Sequence, residues 1–198
     1  LGGASALTDA FLAAQIAIMG ILVSVYGVSA ANHLRSEETS GHAEVILATA
    51  ATRTKWATSH YVAALLGVAV LLLLTGLSVG VGAGFALHDS SQVARVTVAA
   101  LAQIPAAWVV TSVVVLIFGW MPRLTYAARG FLVTFVALGE FGVLWNAPQW
   151  LMDLSPFEHS PLLPVGIEAV APVVWLPLVA AAVGGVGYLG WRHRDLAE

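Results

Sequence analysis

Residues 59–86 read SHYVAALLGVAVLLLLTGLSVGVGAGFA, a stretch without a single Asp, Glu, Lys or Arg. A helix needs about 20 mostly apolar residues to cross the hydrocarbon core of a bilayer, so this stretch predicts a transmembrane helix. Lipid offers backbone N–H and C=O groups no hydrogen-bond partner, which leaves helices and closed barrels as the spanning structures. Barrel strands are half as long and alternate polar with apolar residues, a pattern absent here. Working outward, four more apolar stretches long enough to span lie at 8–31, 96–119, 130–146 and 172–190, the fourth in chain order being the shortest. The fold class expected is all-α: one transmembrane domain over residues 1–198, a polytopic helical membrane bundle.

Composition agrees with that reading. The 198 residues are 59% hydrophobic and 10% charged, far from the quarter of charged residues usual in soluble domains. Five or six spans with short loops fill this length and leave no room for a large soluble domain. The absence of cysteine excludes disulfides, thiolate metal sites and a cysteine nucleophile. The formal net charge of -3 comes without any basic run, so nucleic-acid binding is not supported. Leu1 follows no methionine and no basic region precedes the first apolar stretch, so the chain reads as a fragment or processed product.

Cationic residues set the expected orientation. Arg35, Arg53 and Lys55 follow the first span, Arg123 and Arg129 the third, and Arg192 and Arg194 the fifth. These segments, and with them the C-terminus, are expected in the cytoplasm. Only Arg95 falls on the other side, where the segment 147–171 has no Lys or Arg but carries Asp153, Glu158 and Glu168. An odd number of spans then puts Leu1 outside, and a preceding helix is expected.

Small residues Ala13, Ala17, Gly20, Ser24, Gly27 and Ala31 alternate four and three apart, one stripe along a helix against which a neighbour should pack. Gly76, Gly80 and Gly84, and Gly184 and Gly187, also suit close helix approach. The run Gly80 to Gly84 lies inside an apolar span with no strand before it and no Lys-Ser/Thr after it, so it is no nucleotide loop.

The dense charge cluster of the chain is the loop 32–58. Within it Ala43, Ile46, Leu47 and Ala50 share one face, so a short amphipathic helix is expected at the membrane surface or against a partner. Glu37, Glu38 and Glu44 set against Arg53 and Lys55 suit a charge-complementary protein contact better than adhesion to anionic lipid. A solvated loop with Trp56 as an interfacial anchor is the plainer alternative.

The pattern Arg35, Glu37-Glu38, Gly41, Glu44, Leu47-Ala48-Thr49, Arg53, Trp56 and Ser59-His60 resembles the coupling-loop signature of type-two ABC exporter permeases of the polyketide-antibiotic (tetronasin-type) group found in actinobacteria. The stretch from Trp150 to Pro161 and the closing Trp191-Arg-His-Arg-Asp195 match the same group, so the resemblance runs over nearly the whole chain. It implies a six-helix permease half with a coupling helix after the second helix, re-entrant or surface helices between the fifth and sixth, and cytoplasmic ends. The five spans fit as helices two to six of the C-terminal half of a longer permease. By resemblance, Arg35, Glu37, Glu38, Gly41, Glu44 and Arg53 meet a cytoplasmic ABC ATPase dimer that binds ATP and Mg. An N-terminal permease half or second permease subunit, membrane lipid and a hydrophobic small-molecule cargo complete the implied partners, in a bacterial plasma membrane. The sequence holds no Gly-x-x-x-x-Gly-Lys-Ser/Thr loop, so no cofactor is expected in this chain and ATP chemistry belongs to another.

Glu140 is the acidic residue set well inside a span, where a charge costs about 2.5–3.5 kcal/mol on translocon-type scales. It lies about 15 Å along the helix from Gly130. It either serves a substrate path or proton transfer, or makes a structural hydrogen bond to a neighbouring helix. Gln15 and Gln103 are weaker candidates of the same kind, since amides often tie helices together. Pro105 and Pro177 are expected to bend their helices. Five prolines from Trp145 through Pro172 exclude one continuous helix there, so short broken helices at the outer surface are expected, with Trp145 and Trp150 as interfacial anchors. Asp153, Glu158 and His159 lack the spacing of a metal site, and no catalytic triad or zinc-protease motif is present. The function expected is therefore that of a non-enzymatic permease subunit of an ATP-driven exporter of amphipathic drugs or antibiotics. A proton-coupled secondary transporter using Glu140, an intramembrane enzyme and a non-transporting scaffold are the rivals.

Overall fold

The computed structural model describes residues 3–39, 53–121, 130, 134, 148–160 and 170–193. Six helices lie among them: α1 (Ala4–Thr39), α2 (Arg53–Leu87), α3 (Ser91–Leu101), α4 (Ile104–Trp120), α5 (Gln149–Met152) and α6 (Val170–His193). No strand occurs among the described residues. Among the described residues four stretches are long and apolar enough to cross a membrane: Ala6–His33, Lys55–Leu87, Ser91–Trp120 and Ala171–Arg192. The protein is thus an all-α membrane bundle. The expected span 130–146 is described only at Gly130 and Thr134, both helical, with the Thr134 hydroxyl donating to the Gly130 carbonyl at 2.9 Å.

The segment 32–58, expected as a loop, is helical at both ends. No Gly or Pro interrupts the chain between Asn32 and Thr39, so the hydrogen-bonded ladder of α1 has no reason to stop at the membrane boundary. The third span departs the other way. Gln103 N–H reaches back to Ala100 O (3.1 Å) and Ala107 N–H to Gln103 O (3.2 Å), so the crossing is divided into α3 and α4 at Ala102 and Gln103. Pro105, in the first turn of α4, has no N–H to give the carbonyl four residues earlier and disfavours helical geometry in the residue before it. Pro177 by contrast sits inside α6 without ending it.

Packing fixes the directions. Leu12 and Ile16 of α1 cluster with Val96, Ala99 and Ala100 of α3, and Val28 and Ala31 with Val110, Val114 and Val115 of α4. α1 therefore runs parallel to the α3–α4 crossing. α2 runs against it: Gly80 lies beside Val93 and Gly76 beside Thr97 and Ala100. α6 is parallel to α4, with Gly187 against Val115 and Leu116. A side chain on Gly187 would put its Cβ 2.6 Å from Leu116 Cα, so only glycine allows the two backbones this close. The small-residue stripe of α1 does what close helix contact requires, Gly20 lying against Gln103 and Gly27 against Thr111 and Val68.

Between α2 and α3 the chain reverses within a few residues, and His88 takes a left-handed backbone conformation, φ 54°. Non-glycine residues occupy that region mainly in tight turns. After α5 the chain makes a series of turns to Ser160. Phe157 packs against the cluster built by Val28, Ala31 and Val110, and His159 meets the edge of Trp175 at 5.4 Å between ring centroids. The segment expected to lie on the outer surface thus sends Phe157 in among the helices. Trp150 remains exposed.

Candidate functional site

Antiparallel alternation gathers the C-terminal ends of α1, α4 and α6 and the N-terminal end of α2 at one end of the bundle. Arg53, Lys55 and Arg192 all fall there, and α1 carries its last turns, with Arg35, Glu37 and Glu38, beyond the same end. Arg53 is the first residue of α2. Only the backbone of Arg35, Glu37, Glu38 and Arg53 is described, while Gly41, Glu44, the expected amphipathic helix and Glu140 lie outside the described residues.

Directly inside this end lies an aromatic cluster. Trp56, Ala57, Phe118 and Trp191 are buried together, with exposures of 7% or less. The Trp56 and Trp191 rings are 6.4 Å apart, and His60 stands edge-on to Trp56 at 5.2 Å. In the plainer alternative Trp56 was an anchor at the lipid–water interface; here it fills the junction of α2, α4 and α6. A large apolar ring can anchor a helix either way, and here Phe118 and Trp191 offer contacts that lipid does not. Trp120, on the same end of α4, is exposed, yet its Nε1 donates to Val186 O of α6 at 2.9 Å.

One turn deeper, Tyr61 and Ser112 join α2 to α4 at 2.7 Å. The Ser112 hydroxyl already donates to Trp108 O at 2.7 Å. A hydroxyl has one proton, so Tyr61 is the donor to Ser112. Trp108 Nε1 in turn donates to Leu65 O at 3.0 Å. These side chains wall a groove of about 510 Å³ between α2, α4 and α6, lined among others by Tyr61, Leu65, Trp108, Pro177, Gly184 and Tyr188. The volume lies within the range of small-molecule sites.

At the opposite end the polar side chains are tied differently. Arg95 of α3 pairs with Asp9 of α1 at 3.2 Å, both partly exposed. Arg95 also reaches Gln92 Oε1 at 3.4 Å, and Gln92 Nε2 donates to Asp89 at 2.8 Å. Asp89 accepts the Ser91 N–H at 3.0 Å, and these hydrogen bonds, those from Ser91 first, hold its carboxyl below the ordinary value of 3.8. Arg95, the cation on the unexpected side, therefore has a structural partner that sequence reading left unpaired.

Of the candidate path residues, Gln15 is half-buried on α1. Gln103, 2% exposed, stands over Gly20 at the α3–α4 break. No cluster of three or more His, Asp or Glu side chains suited to a metal occurs among the described residues. What sequence reading missed is the aromatic junction and the Tyr61–Ser112 bond. Their signal was present as Trp56, His60 and Tyr61 on one helix and Tyr188 and Trp191 on another, at helical spacings.

Residues 1–192 match the model of the family described as multidrug efflux system permease Rv1217c, C-terminal domain. The chain is 38% identical over 197 residues to the multidrug efflux system permease protein Rv1217c of Mycobacterium tuberculosis (strain ATCC 25618 / H37Rv), an alignment covering 99% of this chain and 36% of that protein. The chain thus spans about a third of the length of the curated relative it matches. A helical membrane bundle whose cationic helix ends converge, matched over nearly its whole length, belongs to the family of the C-terminal domain of the multidrug efflux system permease Rv1217c.

Proposed function

We propose that this chain is the C-terminal half of the permease of an ATP-driven exporter of amphipathic drugs or antibiotics, of the tetronasin-type group. A separate cytoplasmic ATPase dimer binds ATP and Mg, and its closure moves the helices through the segment between α1 and α2. The observation that carries the reading is the convergence of α1, α2, α4 and α6 at one end, where α1 and α2 are joined in sequence by the charged segment 32–58 and the first turn of α2 is packed on α4 and α6. A push on that segment reaches α2 at Arg53, and Trp56, one turn on, hands it to α4 and α6.

In this reading the cationic end faces the cytoplasm, so the C-terminus is cytoplasmic and the chain is a multi-pass protein of the bacterial plasma membrane. An N-terminal half completes the path. Gln15, Gln103 and Glu140 are the polar candidates to meet cargo within it, and this half supplies walls and coupling without covalent catalysis.

The test is ATPase activity and export by the full complex in lipid vesicles, with Glu37, Glu38 and Glu44 changed together to alanine. The expected result is an assembled complex in which drug-stimulated hydrolysis and export disappear. Export that continues unchanged and follows a proton gradient, or purification without any ATPase, overturns the proposal and makes Glu140 the site to pursue.

A further inference from the structure

α6 carries four glycines in its second half, and three of them serve helix contact. A side chain on Gly184 would collide with the Tyr61 hydroxyl, one on Gly187 with Leu116 and one on Gly190 with the Trp120 indole. Gly185 differs: a Cβ built there meets nothing within 4 Å, and the residue lines the groove between α2, α4 and α6. Glycine inside a helix is less stable than alanine because it loses more backbone freedom on folding, and at Gly185 no helix contact offsets that loss. What the missing side chain leaves is space, in a groove that opens sideways past the exposed Gly185 and Ala181.

The interior of the groove is already built. Tyr61 and Trp108 are held by their bonds to Ser112 and to Leu65 O, so two fixed rings wall it and their donors are taken. Thr58 and Tyr188 line it at the cationic end, where Tyr188 lies 6.3 Å from Trp191 of the aromatic junction. Among the described residues the hydroxyls of these two form no hydrogen bond. Deeper in, the lining passes to Leu65, Trp108 and Pro177, and no Asp, Glu, Lys, Arg or His lines the groove among the described residues. The α6 rise from Tyr188 to Pro177 is about 16 Å.

We infer that the groove binds an uncharged amphipathic molecule with a flat apolar body and a hydrogen-bond acceptor at one end. The acceptor meets Thr58 and Tyr188, and the body lies along Gly185 and Ala181, against the rings of Tyr61 and Trp108, toward Pro177. A charged group would lose its hydration there with no partner to replace it, so ionised ligands are rejected. Aromatic walls favour flat ring systems over flexible chains. The volume of about 510 Å³ suits a molecule of drug size. Naming this ligand as cargo, taken up sideways from the membrane, rests on the exporter reading; its binding does not.

The experiment is equilibrium binding of Nile red, an uncharged flat dye with a carbonyl acceptor, to the purified full permease complex in phosphatidylcholine nanodiscs without nucleotide. Empty nanodiscs set the background, and Nile blue, a cationic dye with the same ring skeleton, is the competitor. The expected result is saturable binding, read as blue-shifted emission, that Nile blue does not displace. Gly185→Leu fills the groove without touching a neighbouring helix and is expected to weaken binding about tenfold or more. Ala181→Leu, one turn away and equally exposed, gives a similar loss, so the outcome does not hang on the folding of one variant. Thr58→Val with Tyr188→Phe weakens binding about tenfold through two lost hydrogen bonds. The inference is overturned by binding that is unchanged in both leucine variants, by equal competition from Nile blue, or by no saturable binding above empty nanodiscs, the outcome if lipid chains or segment 130–146 fill the groove. Intact ATPase coupling without dye binding sinks this inference alone; dye binding without any ATPase partner sinks the exporter reading alone.

Discussion

The two ends of the bundle are held by different physics. At the cationic end, three helices are joined by buried rings and by backbones in near contact at Gly187. At the other end, α1 and the α2–α3 hairpin are joined by small-residue packing of Leu12 and Ile16 on Val96, Ala99 and Ala100, topped by a partly exposed ion pair and a chain of side-chain hydrogen bonds. Buried packing of large rings is worth several kcal/mol per side chain, whereas exposed ion pairs contribute about 0–1 kcal/mol. Large rings therefore fasten one end, and small apolar contacts under an exposed polar latch fasten the other.

The comparison breaks most decisively at Trp56. Changing it to alanine empties the junction and is expected to lower stability by about 3 kcal/mol, measured by reversible unfolding in mixed micelles; a loss below 1 kcal/mol would mean that the junction does not fasten this end. Next, Gly187→Ala forces a Cβ against Leu116 and is expected to cost about 2 kcal/mol, visible as a lower melting temperature in detergent. Tyr61→Phe removes one interhelical hydrogen bond while keeping the ring, with an expected loss of about 0.6 kcal/mol in the same assay.

At the far end, Asp9→Asn is expected to change stability by about 0.5 kcal/mol or less, and the change should shrink further at high salt. An effect as large as that at Trp56 would erase the distinction between the ends. The smallest expected signal is a pH dependence at Asp89. Its carboxyl is held below 3.8 in the folded chain, so its stabilising contribution is present above that value and is lost as pH falls through the folded one. Asp89→Asn should flatten the acid limb of the unfolding midpoint against pH by slightly lowering neutral stability while leaving acid stability unchanged.

The fold was legible because lipid leaves so few options: runs such as residues 59–86 can only be helices, and Lys and Arg placement orders them. The boundaries of segment 32–58 were less legible, since hydropathy marks where lipid ends and not where hydrogen bonding ends. The helix break at Gln103 was half-visible in Pro105, whose missing N–H marks a defect without saying whether the helix bends or divides. The site was legible only as charges on a loop. That Trp56 would turn inward to Phe118 and Trp191 depends on which helices become neighbours, and a single helix pattern is silent on that. Likewise Arg95 read as an anomaly until α1 brought Asp9 beside it.

The α3–α4 break has a mechanical consequence. A continuous helix behaves as a single shaft, and any rotation applied to one end arrives at the other. Divided at Ala102 and Gln103, the third crossing is two rods, α4 packed chiefly on α6 and α3 chiefly on α2. Both rods are gripped by α1, at Val96 and Val110, and by α2, at Thr97 and Ser112, so displacement of either neighbour reaches the two together.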